Sequence, residues 1–135
     1  MSGGRSENQS EKAILNDCLV ELSSQPETLV FRNNTGMAWQ GKKAEARVGS
    51  RIEVEPGMVI LRDARPVKFG LKGSGDILGA HGGRPIAVEV KDAHGRQTED
   101  QKRFESAWTR AGGIYLLVRS PEEMLKRLAV LTLLG

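Results

Sequence analysis

Apolar and polar positions alternate along this chain with two periods, one typical of helices and one typical of strands. In residues 14–22 the apolar side chains recur every three or four positions, which places them on one face of a helix. Ser10 is the expected N-cap of this helix, and Pro26 lies beyond its end. Residues 28–32 are rich in β formers and predict the strand that follows, before a turn at residues 33–36.

The second half of the chain shows the same two periods. Residues 86–90 and 114–118 are dense in branched apolar side chains and predict buried strands. Thr98 and Gln101 have the spacing of a capping box, which predicts a helix that ends before Gly112-Gly113. A second capping box, Ser120-Pro121-Glu122-Glu123, predicts a last helix that runs to the end of the chain.

This order of elements predicts an α/β fold, with a mixed central β-sheet flanked by helices. The length of 135 residues is typical of one domain, which we expect over residues 10–135 after a disordered lead at residues 1–9. Residues 40–70 fit the pattern poorly and are expected to be an insertion or a mobile hairpin. The expected hairpin pairs residues 51–55 with residues 58–62 around Pro56-Gly57.

Composition and charge exclude some classes of protein. Cys18 is the only cysteine, and the polar N-terminus does not resemble a signal peptide, so we expect a reducing, cytoplasmic setting. The chain contains no apolar run of about 18 residues, and a membrane partner is not expected. The net charge of +3 and the pI of about 9.2 permit binding to phosphate backbones.

Two opposite charges lie on one of the predicted core strands. Strand alternation places Ile86, Val88 and Val90 on one face, and Glu89 and Lys91 on the other. Burying such ions costs several kcal/mol each unless they are paired, hydrogen-bonded or metal-bound. A structural salt bridge is therefore one explanation of this pair, and a functional site is the other.

Asp76 adds a second carboxylate to this strand pair. It precedes Glu89 by 13 residues, a separation that allows a short strand, a turn at Gly82-Gly83 and a return strand to bring the two together. Two carboxylates and a backbone carbonyl, for which Val90 is the candidate, suit Mg²⁺ or Mn²⁺. Such a metal activates water, and Lys91 beside it could stabilise developing negative charge.

These residues together resemble the PD-(D/E)XK nuclease superfamily. The resemblance rests on Gly75-Asp76, on Glu89-Val90-Lys91 and on Gln101 at the start of a helix. The sequence is more closely similar to the virus-type replication-repair nuclease branch, the VRR-NUC domain, in its stand-alone phage and bacterial form. That similarity also includes the segments 32–36, 73–77 and 97–101, followed by Phe104 and Trp108, and it covers about residues 10–126.

The resemblance implies a restriction-endonuclease-like core and assigns roles to five side chains. It implies Asp76 and Glu89 as metal ligands, Lys91 as the catalytic lysine and Gln101 as an additional active-site residue. Glu11 resembles the first-helix carboxylate that joins the metal shell in this superfamily. Gln101 can equally be a cap, and Glu11 can equally be a carboxylate that complements the helix dipole. One departure is the Gly at position 75, where the superfamily name has Pro.

Basic and polar residues near this predicted site are candidate DNA contacts. They are Lys72, Arg96, Lys102, Arg32 and Asn33. For any single one of them, a solvated surface charge is the ordinary alternative. A further basic cluster, with Trp39 as a candidate contact to bases, falls in the irregular region 39–51.

The resemblance implies a metal-dependent, structure-specific DNA endonuclease of the Holliday-junction-resolving type, in a bacterial or phage-infected cell. Branched DNA is the expected partner, and a homodimer would match two symmetric cuts. The apolar stretch 128–134 is the expected dimer interface. Two alternatives remain: a flap or end-processing nuclease that recognises single strands through residues 40–70, and a non-catalytic DNA-binding module.

Overall fold

The computed structural model of the protein describes residues 9–43, 49 and 51–134. The expected disordered lead therefore lies outside the described residues, except for Gln9, whose side chain donates to Asp17 over 3.2 Å. The chain divides into two compact units. The larger one comprises the residues up to Asn34 and from Gly70 onward, and the smaller one comprises Thr35–Phe69.

The described helices and strands follow one another in a fixed order. They are α1 (Glu11–Ser23), β1 (Thr28–Arg32), β2 (Gly36–Lys43), β3 (Leu61–Phe69), β4 (Ile77–His81), β5 (Arg84–Val90), α2 (Glu99–Arg110), β6 (Ile114–Val118) and α3 (Pro121–Leu134). The expected caps are confirmed at three helices. Ser10 accepts from the Ala13 N–H, Thr98 forms a reciprocal capping box with Gln101, and Ser120 accepts from the Glu123 N–H.

The larger unit is built on a four-stranded mixed sheet in the order β1-β4-β5-β6. Strands β1, β4 and β5 pair antiparallel, and β6 pairs parallel with β5 through the α2 crossover. Gly82 and Gly83 join β4 to β5 with φ of 56° and 82°, the positive values that a tight two-residue hairpin requires. A mixed sheet with flanking helices is the fold class that the sequence predicts.

The hydrophobic core lies between one face of this sheet and helices α1 and α3. Ile77, Ile86, Val88, Val90, Leu116 and Val118 pack there against Ile14, Cys18, Leu22, Met124 and Leu128. On the opposite face, the α2 residue Phe104 stacks on Trp108 and contacts Tyr115 of β6. Alternation along β5 therefore directs Glu89 and Lys91 away from the α1 and α3 core, toward the face that α2 partly covers.

The smaller unit is a two-stranded antiparallel ribbon, β2 with β3. The expected pairing of residues 51–55 with 58–62 is wrong, because pairing begins at Lys43 and Leu61 and continues outward to Gly36 and Phe69. Only the central turn forms, with the Met58 N–H donating to the Glu55 carbonyl over 3.2 Å. In the outer segments Ala38 pairs with Val67 and Trp39 pairs with Pro66, so apolar residues meet across the two strands.

None of the helices in the described part of the chain combines the length and apolar character that crossing a membrane requires.

Candidate active site

Asp76 lies one residue before β4, on the sheet face opposite the α1 and α3 core. The next residue, Ile77, is fully buried in that core, and alternation turns Asp76 the other way. Two hydrogen bonds fix its position. The Val90 N–H donates to Oδ2 of Asp76 over 2.8 Å, and the Asn33 N–H donates to the Asp76 carbonyl over 2.8 Å. The carboxylate is therefore held between β1 and β5.

The loop before Asp76 requires glycine at two positions. A Cβ on Gly75 would lie 3.0 Å from the Val88 carbonyl oxygen, so this backbone passes directly over β5. A Cβ on Gly73, which has a φ of 85°, would lie 2.4 Å from the Asp100 carbonyl oxygen at the start of α2. Proline also carries a Cβ, so the Gly at position 75 is explained by its contact with β5.

Asn33 anchors the same loop through its side chain. Its Nδ2 donates to Oγ of Ser74 over 2.8 Å and to the Gly75 carbonyl over 2.9 Å. The Ser74 hydroxyl in turn donates to the Leu71 carbonyl over 2.6 Å. Both N–H bonds of the Asn33 amide are thus directed at the residues that precede Asp76. The expectation that Asn33 contacts DNA stays a prediction, but the structure gives this side chain a positioning role.

Glu89 and Lys91 are buried, with exposed fractions of 4% and 8%. The Lys91 Nζ lies 3.8 Å from Oε2 of Glu89, which is an ion pair but longer than a hydrogen bond. Burial, the hydrogen bond with Asp76 and the charge of that carboxylate together raise the pKa of Glu89 to about 9, against the opposing effect of Lys91. Without a cation, Glu89 therefore keeps its proton at neutral pH.

The loop after β5 surrounds the stem of Lys91. Oδ1 of Asp92 accepts from the backbone N–H groups of His94 and Gly95, and these bonds keep the Asp92 pKa below its ordinary value. Arg119 fastens the loop by donating to the carbonyls of Asp92 and Gly95. A Cβ on Gly95 would lie 3.1 Å from both Cδ of Lys91 and an oxygen of Glu11.

Glu11 is thus brought near Lys91 from the first turn of α1. Its side chain is largely exposed, so the expected inward-facing placement is only partly realised. Its charge adds to the rise in the Glu89 pKa. Over the described residues, no three His, Cys, Asp or Glu side chains form a group arranged to hold a metal ion. Asp76 and Glu89 therefore stand as a pair, and a metal role for Glu11 stays a prediction.

The donor chemistry of this pair suits a hard divalent cation. Two adjacent carboxyl groups provide oxygen ligands, and a cation would relieve the repulsion between their charged forms. Oδ2 of Asp76 accepts from the Val90 N–H, so the backbone of Val90 lies beside this carboxylate. The Val90 carbonyl as a third ligand stays a prediction. Lys91 supplies a positive charge beside the pair, which a metal site must accommodate.

Gln101 is confirmed as the capping residue of α2. Its Oε1 accepts from the Thr98 N–H over 2.9 Å, while its own N–H donates to Oγ1 of Thr98 over 3.2 Å. This engages the side-chain oxygen and leaves Nε2 as the part that could bind a phosphate oxygen. Gly73 packs directly on Asp100, so the start of α2 lies beside the loop that leads to Asp76.

The predicted DNA contacts fall into two groups. Lys72 pairs with Asp100 at 3.3 Å, and Lys102 pairs with Glu99 at 3.2 Å, so carboxylates already neutralise these two. Arg32 and Arg96 are exposed and make no ion pair within the described residues. All five candidate contacts, Asn33 among them, remain predictions.

Sequence reasoning missed several residues that shape the site. Gln97 donates to Glu105 over 2.8 Å and to the Tyr115 hydroxyl over 3.3 Å, on the sheet face that carries Glu89. Burial raises the pKa of Tyr115 to about 12. Arg119 acts through the distant backbone carbonyls of Asp92 and Gly95, which no periodicity predicts. Ser74 and Gln97 lie in the segments 73–77 and 97–101, which the family resemblance includes without giving these two residues a role.

Comparison with known proteins gives no relative: no protein-family model matches the chain, and no curated protein matches it significantly.

Proposed function

We propose that this protein is a divalent-metal-dependent, structure-specific DNA endonuclease that hydrolyses phosphodiester bonds. The observation that carries the proposal is a set on one sheet face: Glu89 and Lys91 are buried, and the half-buried Asp76 carboxylate is bonded to the backbone between them. A salt bridge alone does not explain this set. Burial, the hydrogen bond with Asp76 and the charge of that second carboxylate raise the pKa of Glu89 to about 9.

In this proposal Asp76 and Glu89 hold Mg²⁺ or Mn²⁺, with Val90 as a further oxygen donor and Glu11 as an outer carboxylate. The metal supplies Lewis-acid activation of water and neutralises charge on the phosphate. Lys91 orients the attacking water and stabilises the negative charge that develops on the phosphoryl oxygens. Water adds to phosphorus, one P–O ester bond breaks, and the products are a phosphate monoester and a hydroxyl.

Other residues of the site act by positioning. Asn33 and Ser74 hold the loop before Asp76, while Arg119 and Asp92 hold the loop beside Lys91. Gln101 sits at the capped start of α2, where its free amide N–H groups could bind a phosphate oxygen. For each of these residues, a substitution should lower the rate of DNA cleavage while the protein still folds.

The natural substrate of the proposed enzyme is branched DNA, and a Holliday junction is the leading candidate. The family resemblance supports this choice, and the absence of matching relatives leaves it to experiment. A flap nuclease is the second candidate, because the smaller unit exposes Trp39 among basic residues that suit unpaired DNA. A non-catalytic DNA-binding module is the third, and it predicts that Asp76 and Lys91 can be replaced without consequence.

The test is cleavage of a substrate panel by one preparation in Mg²⁺, in Mn²⁺ and in EDTA. The panel contains a four-way junction, a 5′ flap, a plain duplex and a single strand, each labelled on every strand in turn. We expect metal-dependent cuts in the branched substrates and at least a hundredfold loss in Asp76→Ala and Lys91→Ala. The matched controls are Asp17→Ala and Lys12→Ala, which remove the same charges from α1. Cleavage by the site variants at the rate of these controls would reject the nuclease assignment.

A further inference from the structure

The ribbon formed by β2 and β3 is the most positively charged part of the described chain. Five cationic side chains lie on its two strands: Lys42, Lys43, Arg62, Arg65 and Lys68. Asp63 is the one carboxylate there, so the strands carry a net charge of +4, whereas the whole chain carries +3. The rest of the chain is therefore slightly acidic, and the basic character of the protein resides in this ribbon.

In the part of the chain that the structure describes, the ribbon cations lack carboxylate partners, unlike three cations on or beside α2. Lys72, Lys102 and Arg103 each pair with a carboxylate at 2.9–3.3 Å. Within the described residues, none of the five ribbon cations forms such a pair, and Arg65 donates only to the neutral Gln40 over 3.1 Å. Unpaired cations at this density are available to an anionic partner.

The strand register distributes these charges over both faces of the ribbon. Gln40 opposes Arg65 and Lys42 opposes Arg62, so three cations share one face at the turn-side end. The irregularity between these pairs places one extra residue in β3, where Asp63 has a φ of 54°, and this brings Arg62 to the same face as Arg65. The result is a group of positive charges on one face of the strand pair, which suits an anionic phosphate backbone.

The other face of the ribbon carries an exposed aromatic residue between cations. Trp39 opposes Pro66, with the Met37 and Lys68 pair on one side and Lys43, four residues further along β2, on the other. Its side chain is 59% exposed. The next position on the same face of β2 is Gly41, which offers no side chain to cover the indole ring. A Cβ at Gly41 would lie 2.9 Å from the Arg62 carbonyl oxygen, so the close pairing itself keeps this position open.

We infer that this ribbon is a DNA-binding arm that grips the phosphates of an unpaired strand through its cations and stacks one base on Trp39. An indole ring flanked by cations fits a nucleobase with its adjacent phosphates. Bases within a duplex are already stacked on each other, so an exposed indole favours DNA that has unpaired bases. The inference rests on the proposed function only in taking DNA as the ligand, since the ribbon needs no metal to bind it.

The test is equilibrium binding in EDTA, measured by fluorescence anisotropy with a labelled 20-nucleotide single strand, the matching duplex and a 5′ flap. We expect the single strand and the flap to bind at least tenfold more tightly than the duplex. Arg65→Ala combined with Lys68→Ala should weaken single-strand binding at least tenfold. It should also lower the slope of log K against log salt by roughly 1.4, since each phosphate contact on single strands contributes about 0.7.

Charge-matched and shape-matched variants complete the test. Lys12→Ala combined with Arg110→Ala removes two exposed cations from the helices and should change affinity less than twofold. Trp39→Ala should weaken single-strand binding roughly tenfold, and Trp39→Phe should retain most of it. DNA should quench the wild-type tryptophan fluorescence but not that of Trp39→Phe, in which only Trp108 remains, bonded to the Ile114 carbonyl. If the variant with Arg65→Ala and Lys68→Ala folds poorly, Lys42→Ala with Lys43→Ala repeats the charge test.

The inference is overturned if the ribbon variants bind like the helix control, or if Trp39→Ala changes only the oligomeric state. The two proposals fail separately. A protein that binds through the ribbon but never cleaves refutes the nuclease and retains the arm, whereas one that cleaves while its ribbon variants bind normally refutes the arm alone.

Discussion

The Val90 N–H donates to Oδ2 of Asp76 over 2.8 Å, so the residue between Glu89 and Lys91 holds the second carboxylate of the site. The Val90 side chain is buried in the core with an exposed fraction of 1%. The backbone that meets Asp76 therefore cannot shift without disturbing the core. The tightly packed core on one face of the sheet therefore fixes the positions of the polar residues on the other face.

The raised pKa of Glu89 makes a direct prediction about stability in EDTA. In the folded protein this pKa is about 9, against an ordinary value of 4.5, so the folded state binds the proton more tightly than the unfolded state. The associated stabilisation is complete below pH 4.5 and is lost progressively as the pH rises toward 9. Glu89→Gln, which is neutral at every pH, should therefore be more stable than the wild type at pH 9 by on the order of 2 kcal/mol.

Urea unfolding at pH 4 and at pH 9 measures this difference. At pH 4 the two proteins should have nearly equal free energies of unfolding. Glu99→Gln is the matched control, because Glu99 lies at the surface of α2 and its side chain is 75% exposed. A wild type that gains stability relative to Glu89→Gln between pH 4 and pH 9 would show that Glu89 is not held protonated.

Metal binding should show the opposite dependence on pH. A divalent cation at Asp76 and Glu89 must displace the proton of Glu89, so its affinity should rise with pH up to about 9. The expected change is up to tenfold per pH unit, with close to one proton released per metal ion. Isothermal titration with Mn²⁺ in buffers of different ionisation enthalpy measures both. An affinity for Mn²⁺ that is constant from pH 6 to pH 9 would argue against this site.

Asn33 should affect the rate of cleavage rather than the binding of DNA. Asn33→Ala removes two hydrogen bonds to the loop before Asp76, and we expect kcat to fall at least tenfold with KM little changed. The accompanying loss of stability should be about 1–3 kcal/mol. Asn34→Ala is the control, because Asn34 is an exposed neighbour in the same turn. A rise in KM with an unchanged kcat would instead support the predicted DNA contact.

The last helix should form a homodimer interface, as its sequence predicts. Val130, Leu133 and Leu134 are exposed on α3, with fractions of 55%, 87% and 81%. Val130 also lines a cavity of about 320 Å³ against the edge strand β6. Sedimentation velocity should find a dimer that Leu133→Asp converts to a monomer, whereas Val20→Asp on α1 leaves it intact. A monomeric wild type at tens of micromolar would contradict this prediction.

The fold was predictable where local signals and burial agree. The caps at Ser10 and Thr98, the Gly82-Gly83 turn and the alternation that places Glu89 and Lys91 on one face are all local features. The ribbon was not, because Pro56-Gly57 is a strong turn signal whose neighbours lack cross-strand partners. The turn-forming residues therefore predicted the centre of the hairpin correctly, but not which residues pair in its strands.

The candidate site was predictable only in part. Its charged members stand out because they interrupt apolar strands or glycine-rich loops, as Asp76 and Glu89 do. The residues that position them do not stand out, because Asn33 and Ser74 act over 41 residues of sequence through ordinary turn-forming side chains. Glu11 falls between the two, since its helical phase was correct but its exposure depends on the loop at Gly95.

The most direct test of the central claim is single-turnover cleavage of a four-way junction in Mn²⁺ by Glu89→Gln beside Glu99→Gln. The two variants make the same chemical change, one at the buried carboxylate pair and one at the helix surface. We predict that Glu99→Gln cuts at the wild-type rate and that Glu89→Gln loses at least a hundredfold while still binding the junction. Equal cleavage by both variants would contradict the assignment of a metal-dependent nuclease site to Asp76, Glu89 and Lys91.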